Sequence, residues 1–282
     1  MSKIIALVDG SVYSESVCDH AAWVALRKGS TVELLHVIGR REGSTSNLSG
    51  NIGLGARSKL MEELADLDAK KAKLSMEHGR AILEDAEKRI REDGVTEVVT
   101  RLRNGDLVEE MRKAEADADV VIVGKRGEAA DFAKMHLGSN LERAVRASTK
   151  PVLVTTREFR PINKFMIAYD GSASAEKALK HVAQSKVFAG LECLLLFAGT
   201  DTEANRATLE KGKAELEKAG YTVDAQLRDE QPEVAIQEAI GTQGVDMLLM
   251  GAYRHSRFRN LFIGSTTSEM IRSCHLPMLL FR

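Results

Sequence analysis

The chain repeats itself, and this repeat constrains its fold more than any other feature of the sequence. The run IIALVDGS at residues 4–11 returns as FMIAYDGS at residues 165–172. In each copy a short apolar run ends in Asp, Gly and Ser, which is typical of a buried strand that enters a turn. The 282 residues are enough for about two ordinary domains. We therefore expect two copies of one domain in tandem.

Further matching segments extend the repeat along both halves. The pairs are 32–37 with 192–198, 106–124 with 233–251, and 136–156 with 262–282. Each half then contains five apolar strands that alternate with four amphipathic helices, and Pro151 and Pro277 each stop the last helix before the last strand. Continuous apolar strands alternating with helices predict an α/β fold in which a doubly wound parallel sheet is covered on both faces.

The first half is longer than the second. The spacing between matching segments falls from 161 to 127 residues along the chain, so 34 residues of the first half lack a counterpart. We place this insertion at about residues 40–75, in a polar, Gly-rich loop and the start of a charged helix whose outer turns project past the domain. We expect domains at 1–157 and 162–282, joined by a linker that contains Pro161.

The leucines of that charged helix leave two interpretations open. Leu60, Leu64 and Leu67 recur at helical spacing. They favour either an arm that binds a partner or an amphipathic helix that lies on its own domain.

A ligand site is predicted where the strand order of each sheet reverses, beyond the carboxyl ends of the first and fourth strands. Asp9 and Asp170 end the first strands, and Gly124 and Gly251 end the fourth. Loops run from these glycines to the start of the last helix, through Gly127, Gly138 and Ser139 in the first half and through Arg254, Gly264, Ser265 and Thr266 in the second.

These loops have the chemistry of a phosphate site. Glycine lets the backbone approach a phosphate closely, and the first amides of a helix donate to anions, as do nearby hydroxyls. A carboxylate at the end of the first strand can accept from an adenine amine or a ribose hydroxyl. The alternative is that Asp9, Asp170, Ser265 and Thr266 are N-caps of the helices that follow them.

Both halves resemble universal stress protein domains, through Asp9-Gly10-Ser11, Asp170-Gly171-Ser172 and the glycine loops. The resemblance implies a Rossmann-like fold of the adenine nucleotide alpha hydrolase type, with halves that pair through their last strands as a pseudo-dimer. It also implies that ATP or a related adenine nucleotide, with or without Mg²⁺, lies with its phosphates on the last Gly-Ser/Thr. Adenosine would contact the ends of the first two strands, at Ala168, Asp170 and Ala198, or at Asp9 and Val37.

The ATP-binding branch of that family has Gly, two residues, Gly, nine residues, Gly and then Ser or Thr. The first half keeps all three glycines, but its spacing is one residue too long and Asn140 follows Ser139. The second half keeps the overall spacing, but Arg254 replaces the middle glycine. Because register fixes which amides point at the ligand, we favour the second half.

Composition narrows the class of function. The 40 Lys and Arg residues nearly balance the 41 Asp and Glu residues, so we expect neither nucleic acid nor a membrane as a partner. The three cysteines lack the spacing of a zinc site or a disulfide framework, and the opening residues lack the features of a signal peptide. We expect a cytoplasmic protein. His36, on a buried strand, is predicted to be a core residue.

No nucleophile and base, and no cluster of metal-binding residues, stands out in the sequence. We therefore expect a stress-response protein that acts through nucleotide binding, conformation and an unknown protein partner rather than as an enzyme. Two alternatives stay open: a nucleotide-independent interaction protein, and a slow ATP hydrolase. Association of two chains into a homodimer is also left open.

Overall fold

The computed structural model describes residues 2–39, 54–127, 139–252 and 265–282, and gives the backbone alone at 54–60, 139, 265 and 266. The elements of the first half alternate as predicted. They are β1 (Lys3–Leu7), α1 (Ser14–Lys28), β2 (Thr31–Gly39), α2 (Leu54–Glu92), β3 (Val98–Gly105), α3 (Leu107–Ala114), β4 (Val120–Gly124), α4 (Ser139–Ala147) and β5 (Val152–Thr155).

The second half repeats this order. Its elements are β6 (Lys164–Ala168), α5 (Ala173–Gln184), β7 (Glu192–Ala198), α6 (Glu203–Lys218), β8 (Val223–Arg228), α7 (Pro232–Thr242), β9 (Met247–Gly251), α8 (Ser265–Ser273) and β10 (Met278–Phe281). The segment in which we propose the domain boundary thus lies between the end of β5 and the start of β6. In both halves, as predicted, a proline stands between the last helix and the last strand.

All ten strands form one sheet, in the order β3-β2-β1-β4-β5-β10-β9-β6-β7-β8. Every pair within a half is parallel, which confirms the doubly wound α/β fold. The halves meet at an antiparallel pair, in which Leu279 of β10 lies opposite Leu153 of β5. The intrachain pairing through the last strands is therefore confirmed, and helices cover both faces of the sheet as predicted.

Side chains also hold the halves together. The Nζ of Lys125, just after β4, donates to the carbonyl oxygens of Arg272 and Cys274 at the end of α8, at 3.1 and 2.7 Å. On the other side of the sheet the guanidinium of Arg27 donates to the carbonyl oxygen of Val187. In both contacts a cationic side chain donates to backbone carbonyl oxygens of the other half. The carbonyls at the end of α8 lack partners within the helix, so the Lys125 cation satisfies them.

Helix α2 differs most from its counterpart. It spans 39 residues, whereas α6 spans 16. Ile82, Leu83 and Ile90 are buried in the core, but among residues 61–78 every side chain is exposed except Ser75, which is half-buried. The outer turns of this helix therefore project past the domain, as predicted, and do not lie on it.

Candidate functional site

The strand order reverses between β1 and β4 in the first half and between β6 and β9 in the second. In the register of these pairs Leu7 lies opposite Val123, and Ala168 lies opposite Met250. The turn after the first strand therefore lies beside the end of the fourth strand in each half, as predicted for the ligand site.

The Asp-Gly-Ser turn has the same geometry in both halves. Gly10 and Gly171 have φ angles of 76° and 70°, in the left-handed region that favours glycine. The carboxylate before each glycine accepts from the amide two residues later, at 3.0 Å for Asp9 and 2.9 Å for Asp170. The repeated motif therefore encodes a tight turn closed by its aspartate.

The aspartates are not helix caps. The N-cap of α5 is Ser172, whose hydroxyl accepts from the amide of Ala175 at 3.4 Å. The N-cap of α1 is Tyr13, which makes no side-chain cap bond. The alternative that Asp9 and Asp170 cap their helices is therefore wrong, and each carboxylate serves the turn.

In the first half the carboxylate is tied into a local network. The hydroxyl of Ser14 donates to Oδ1 of Asp9 at 3.1 Å and accepts from the amides of Asp9 and Gly10 at 3.1 and 3.0 Å. Asp9 is half-buried. Three atoms of one turn are thus held by a single serine.

The glycine loop of the first half packs tightly on that turn. A Cβ atom built on Gly127 would lie 2.8 Å from Oδ2 of Asp9, and one built on Gly124 would lie 2.8 Å from Cβ of Tyr13. Distances under about 3 Å exclude a real side chain unless a neighbour moves. The structure therefore brings Asp9, Gly124 and Gly127 together. Asp9 packs against Gly127, and Tyr13 packs against Gly124.

The second half has smaller side chains around the same point. Ala175 replaces Ser14, and Ser174 replaces Tyr13, but a Cβ built on Gly251 would still overlap Oγ of Ser174 and would lie 2.9 Å from its Cβ. Asp170 is exposed. At the strand ends, Ala168 and Ala198 take the places of Leu7 and Val37. At these four described positions the second half thus has smaller side chains beside its turn than the first half has.

Comparison with known proteins bears on this site. The model of the universal stress protein family matches residues 1–156 and 194–282. The chain is also 38% identical over its full length to the universal stress protein Slr1230 of Synechocystis, all of which is covered. The chain belongs to the universal stress protein family.

Solved structures support the fold. The structure of a universal stress protein from Archaeoglobus fulgidus aligns with 99% of this chain, and the alignment includes 98% of the Archaeoglobus chain. The identity is 21% and the TM-score is 0.72. A universal stress protein solved in complex with cAMP covers 44% of the chain, with 98% of its own, at 18% identity and a TM-score of 0.38.

Several predicted residues of this universal stress protein lie outside the described residues or have only their backbone described. Gly138, Arg254 and Gly264 belong to the first group. Ser139, Ser265 and Thr266 belong to the second, and α4 and α8 begin at Ser139 and Ser265. The last helix therefore begins directly after the glycine of each predicted motif, and the roles of these six residues stay predictions.

Two residues near the turns, Tyr169 and His36, are held by other partners. The hydroxyl of Tyr169 donates to Oε1 of Glu176 at 2.6 Å, and burial together with this carboxylate raises the pKa of Tyr169. In the first half the Nδ1 of His36 lies 2.8 Å from the carbonyl oxygen of Val8, and its ring packs on Gly79. His36 is buried, so the prediction of a core histidine is confirmed.

The sequence analysis did not identify Ser14, Tyr13 and Ser174 as site residues, although their side chains lie beside the two turns. Aligning the two halves could have found them, because the differences occur at matching positions of the repeat. Among the residues that the structure describes, no group of three or more Asp, Glu, His or Cys side chains lies in an arrangement that could hold a metal ion. Over those same ranges no helix is long and apolar enough to cross a membrane.

Proposed function

We propose that this universal stress protein is a cytoplasmic binding protein for ATP or a related adenine nucleotide, and that the nucleotide lies in the second half, beside Asp170 and Gly251. It acts through the conformation of the bound state and through partner proteins.

The observation that carries the proposal is the difference in side-chain volume between the two turns. Ala168 and Ala198 stand where the first half has Leu7 and Val37, and Ser174 stands where it has Tyr13. Adenosine needs a concave, mostly apolar space with a few polar groups at its edge. The exposed carboxylate of Asp170 supplies such a group, whereas Asp9 is half-buried against Gly127.

Phosphates would lie at the start of α8. Gly251 ends β9, and α8 begins at Ser265 on the far side of the loop. The first amides of a helix lack partners within the helix and carry its positive dipole end, so they favour a phosphate. Glycines at 251 and 264 let the backbone approach the ligand.

The matched test is equilibrium binding of ATP to the full chain by titration calorimetry. Removing a charge-assisted hydrogen bond costs about 1.5–3 kcal/mol, so we expect Asp170→Ala to weaken binding at least about tenfold. Asp9→Ala, the same change in the first half, leaves the affinity unchanged. Circular dichroism checks that both variants fold.

The alternatives give different results. The absence of binding at millimolar ATP would favour a nucleotide-independent interaction protein. Binding lost in Asp9→Ala but kept in Asp170→Ala would move the site to the first half. Steady ATP turnover that Asp170→Ala abolishes would make the protein a hydrolase.

A further inference from the structure

An arginine lies at the same place in both halves, near the end of the edge strand. Arg228 of β8 lies opposite Ala198 of β7, and Arg103 of β3 lies opposite Val37 of β2. Both arginines stand on an outer strand of the ten-stranded sheet, where a charged side chain protects the edge from pairing with another chain. Their recurrence beside the ligand turns indicates a second role.

The arginine of the second half lies at the level of the turn aspartate. Ala168, the last residue of β6, lies opposite Leu196 of β7. Two residues further along both strands, Asp170 therefore comes level with Ala198, which in turn lies opposite Arg228. A row of one carboxylate, one methyl group and one guanidinium thus crosses the ends of β6, β7 and β8. At about 4.8 Å between neighbouring strands, the row spans roughly 10 Å.

Arg228 faces the same side of the sheet as Ala198, because residues paired across neighbouring strands point to one face. Ala198 packs on the core cluster that contains residues of α7 and α8. Gln226, two residues before Arg228 on the same strand, donates through its Nε2 to Oε1 of Gln243 at the end of α7, at 3.0 Å. The row therefore lies on the face that α7 and α8 cover, which is the face on which the phosphates of the proposed nucleotide would lie.

The guanidinium of Arg228 is only partly used within the described part of the chain. It is half-buried, and its Nη2 donates to Oε1 of Gln226 at 3.2 Å. No carboxylate among the described residues forms an ion pair with it, and the carboxylate of Asp201, in the loop after β7, accepts from Arg206 instead. A guanidinium carries five N–H donors and a flat face. Arg228 can therefore take a ligand without losing a charged partner.

We infer that Arg228 contacts the adenine base of the nucleotide proposed for the second half, an inference that rests on the proposed function. The phosphates would lie at the start of α8, which follows β9 on one side of β6, whereas β7 and β8 lie on the other side. The base therefore lies over the small Ala198, on the side of Arg228. A guanidinium stacks on aromatic rings and donates to ring nitrogens, and adenine offers both.

A series of three ligands separates a contact to the base from a contact to the phosphates. Titration calorimetry of the full chain gives the dissociation constants of ATP and AMP, and competition against ATP gives that of adenosine. Arg228→Ala should raise all three dissociation constants by the same factor, about five- to thirtyfold. Arg103→Ala, the matched control in the first half, should leave them unchanged. Circular dichroism checks that both variants fold.

Three results would overturn the inference and leave the nucleotide site in place. Unchanged affinity in Arg228→Ala, with weaker binding in Asp170→Ala, would assign the arginine to protection of the sheet edge. A loss of affinity that grows from adenosine to AMP to ATP would move its contact to the phosphates. Equal losses in Arg103→Ala and Arg228→Ala would show that the effect does not come from a contact in the second half. A wild type that binds none of the three ligands would instead remove the proposed function, and the inference with it.

Discussion

The carboxylate of Asp9 lies against the backbone of Gly127, so that a Cβ atom at residue 127 would come within 2.8 Å of Oδ2. These residues are 118 positions apart in the sequence, and the contact joins the turn after β1 to the glycine loop after β4. Under the proposed function this contact leaves less space beside the first turn, and we therefore expect the two halves of the repeat to differ in ligand binding.

Gly127→Ala should destabilise the protein by about 1–3 kcal/mol, because the new methyl group overpacks the contact with Asp9. Urea unfolding measures the change. Asp9→Ala removes the carboxylate, so the double variant should be more stable than the sum of the two single effects predicts. Additive effects would show that the methyl group meets something other than Asp9.

Lys125→Met should lower the free energy of unfolding by about 1.5–3 kcal/mol, because it leaves two carbonyl oxygens at the end of α8 without their cation. Lys177→Met is the matched control: its Nζ donates to the carbonyl oxygen of Arg282 at 2.7 Å, but the contact is exposed and lies within one half. Urea unfolding of both variants should show the larger loss for Lys125→Met. Equal losses of unfolding free energy would mean that the Lys125 contact between the halves adds no more stability than the exposed contact of Lys177.

Acid should destabilise the protein through His20. Its side chain is fully buried, its Nδ1 donates to the carbonyl oxygen of Ser16 at 2.7 Å, and burial lowers its pKa from 6.5 to about 4. Between pH 6.5 and about pH 4, His20 is therefore protonated in the unfolded chain but neutral in the folded chain. Stability should fall by up to about 3 kcal/mol as pH drops from 6.5 to 4.

The matched variant for this pH dependence is His20→Gln, which cannot take up a proton. Urea unfolding at a series of pH values should show a smaller loss on acidification for His20→Gln than for the wild type. An unchanged pH profile would assign the acid sensitivity to other groups.

Ala168→Leu, which introduces the residue that the first half has at this position, should weaken ATP binding at least about tenfold, because the larger side chain fills the proposed adenosine space. Ala168→Ser keeps the small volume and should bind like the wild type. Titration calorimetry measures both. Full affinity in Ala168→Leu would place the nucleotide elsewhere.

Local pattern was enough to predict most of the fold. Runs such as IIALVDGS contain both the buried strand and the turn that ends it, and the proline before each last strand marks the end of a helix. The repeat then predicts the parallel sheets, because a strand and helix pattern of this kind has few arrangements that bury both faces.

The candidate site was predicted in position but not in detail. Which strands flank the ligand follows from topology, and Asp9, Gly124 and Gly127 do come together. The hydroxyl of Ser14 on Asp9, and the approach of Tyr13 to Gly124, depend on how loops far apart in sequence meet in space. The difference between the half-buried Asp9 and the exposed Asp170 follows from such contacts and from no local motif.

The antiparallel join between β5 and β10 has a consequence for the whole molecule. Since the strands of the two halves run in opposite directions, the turns of Asp9 and Asp170 lie at opposite ends of the strands of the ten-stranded sheet. Molecules bound at the two turns would not collide, so a nucleotide bound at one turn would leave the other turn accessible to a different molecule.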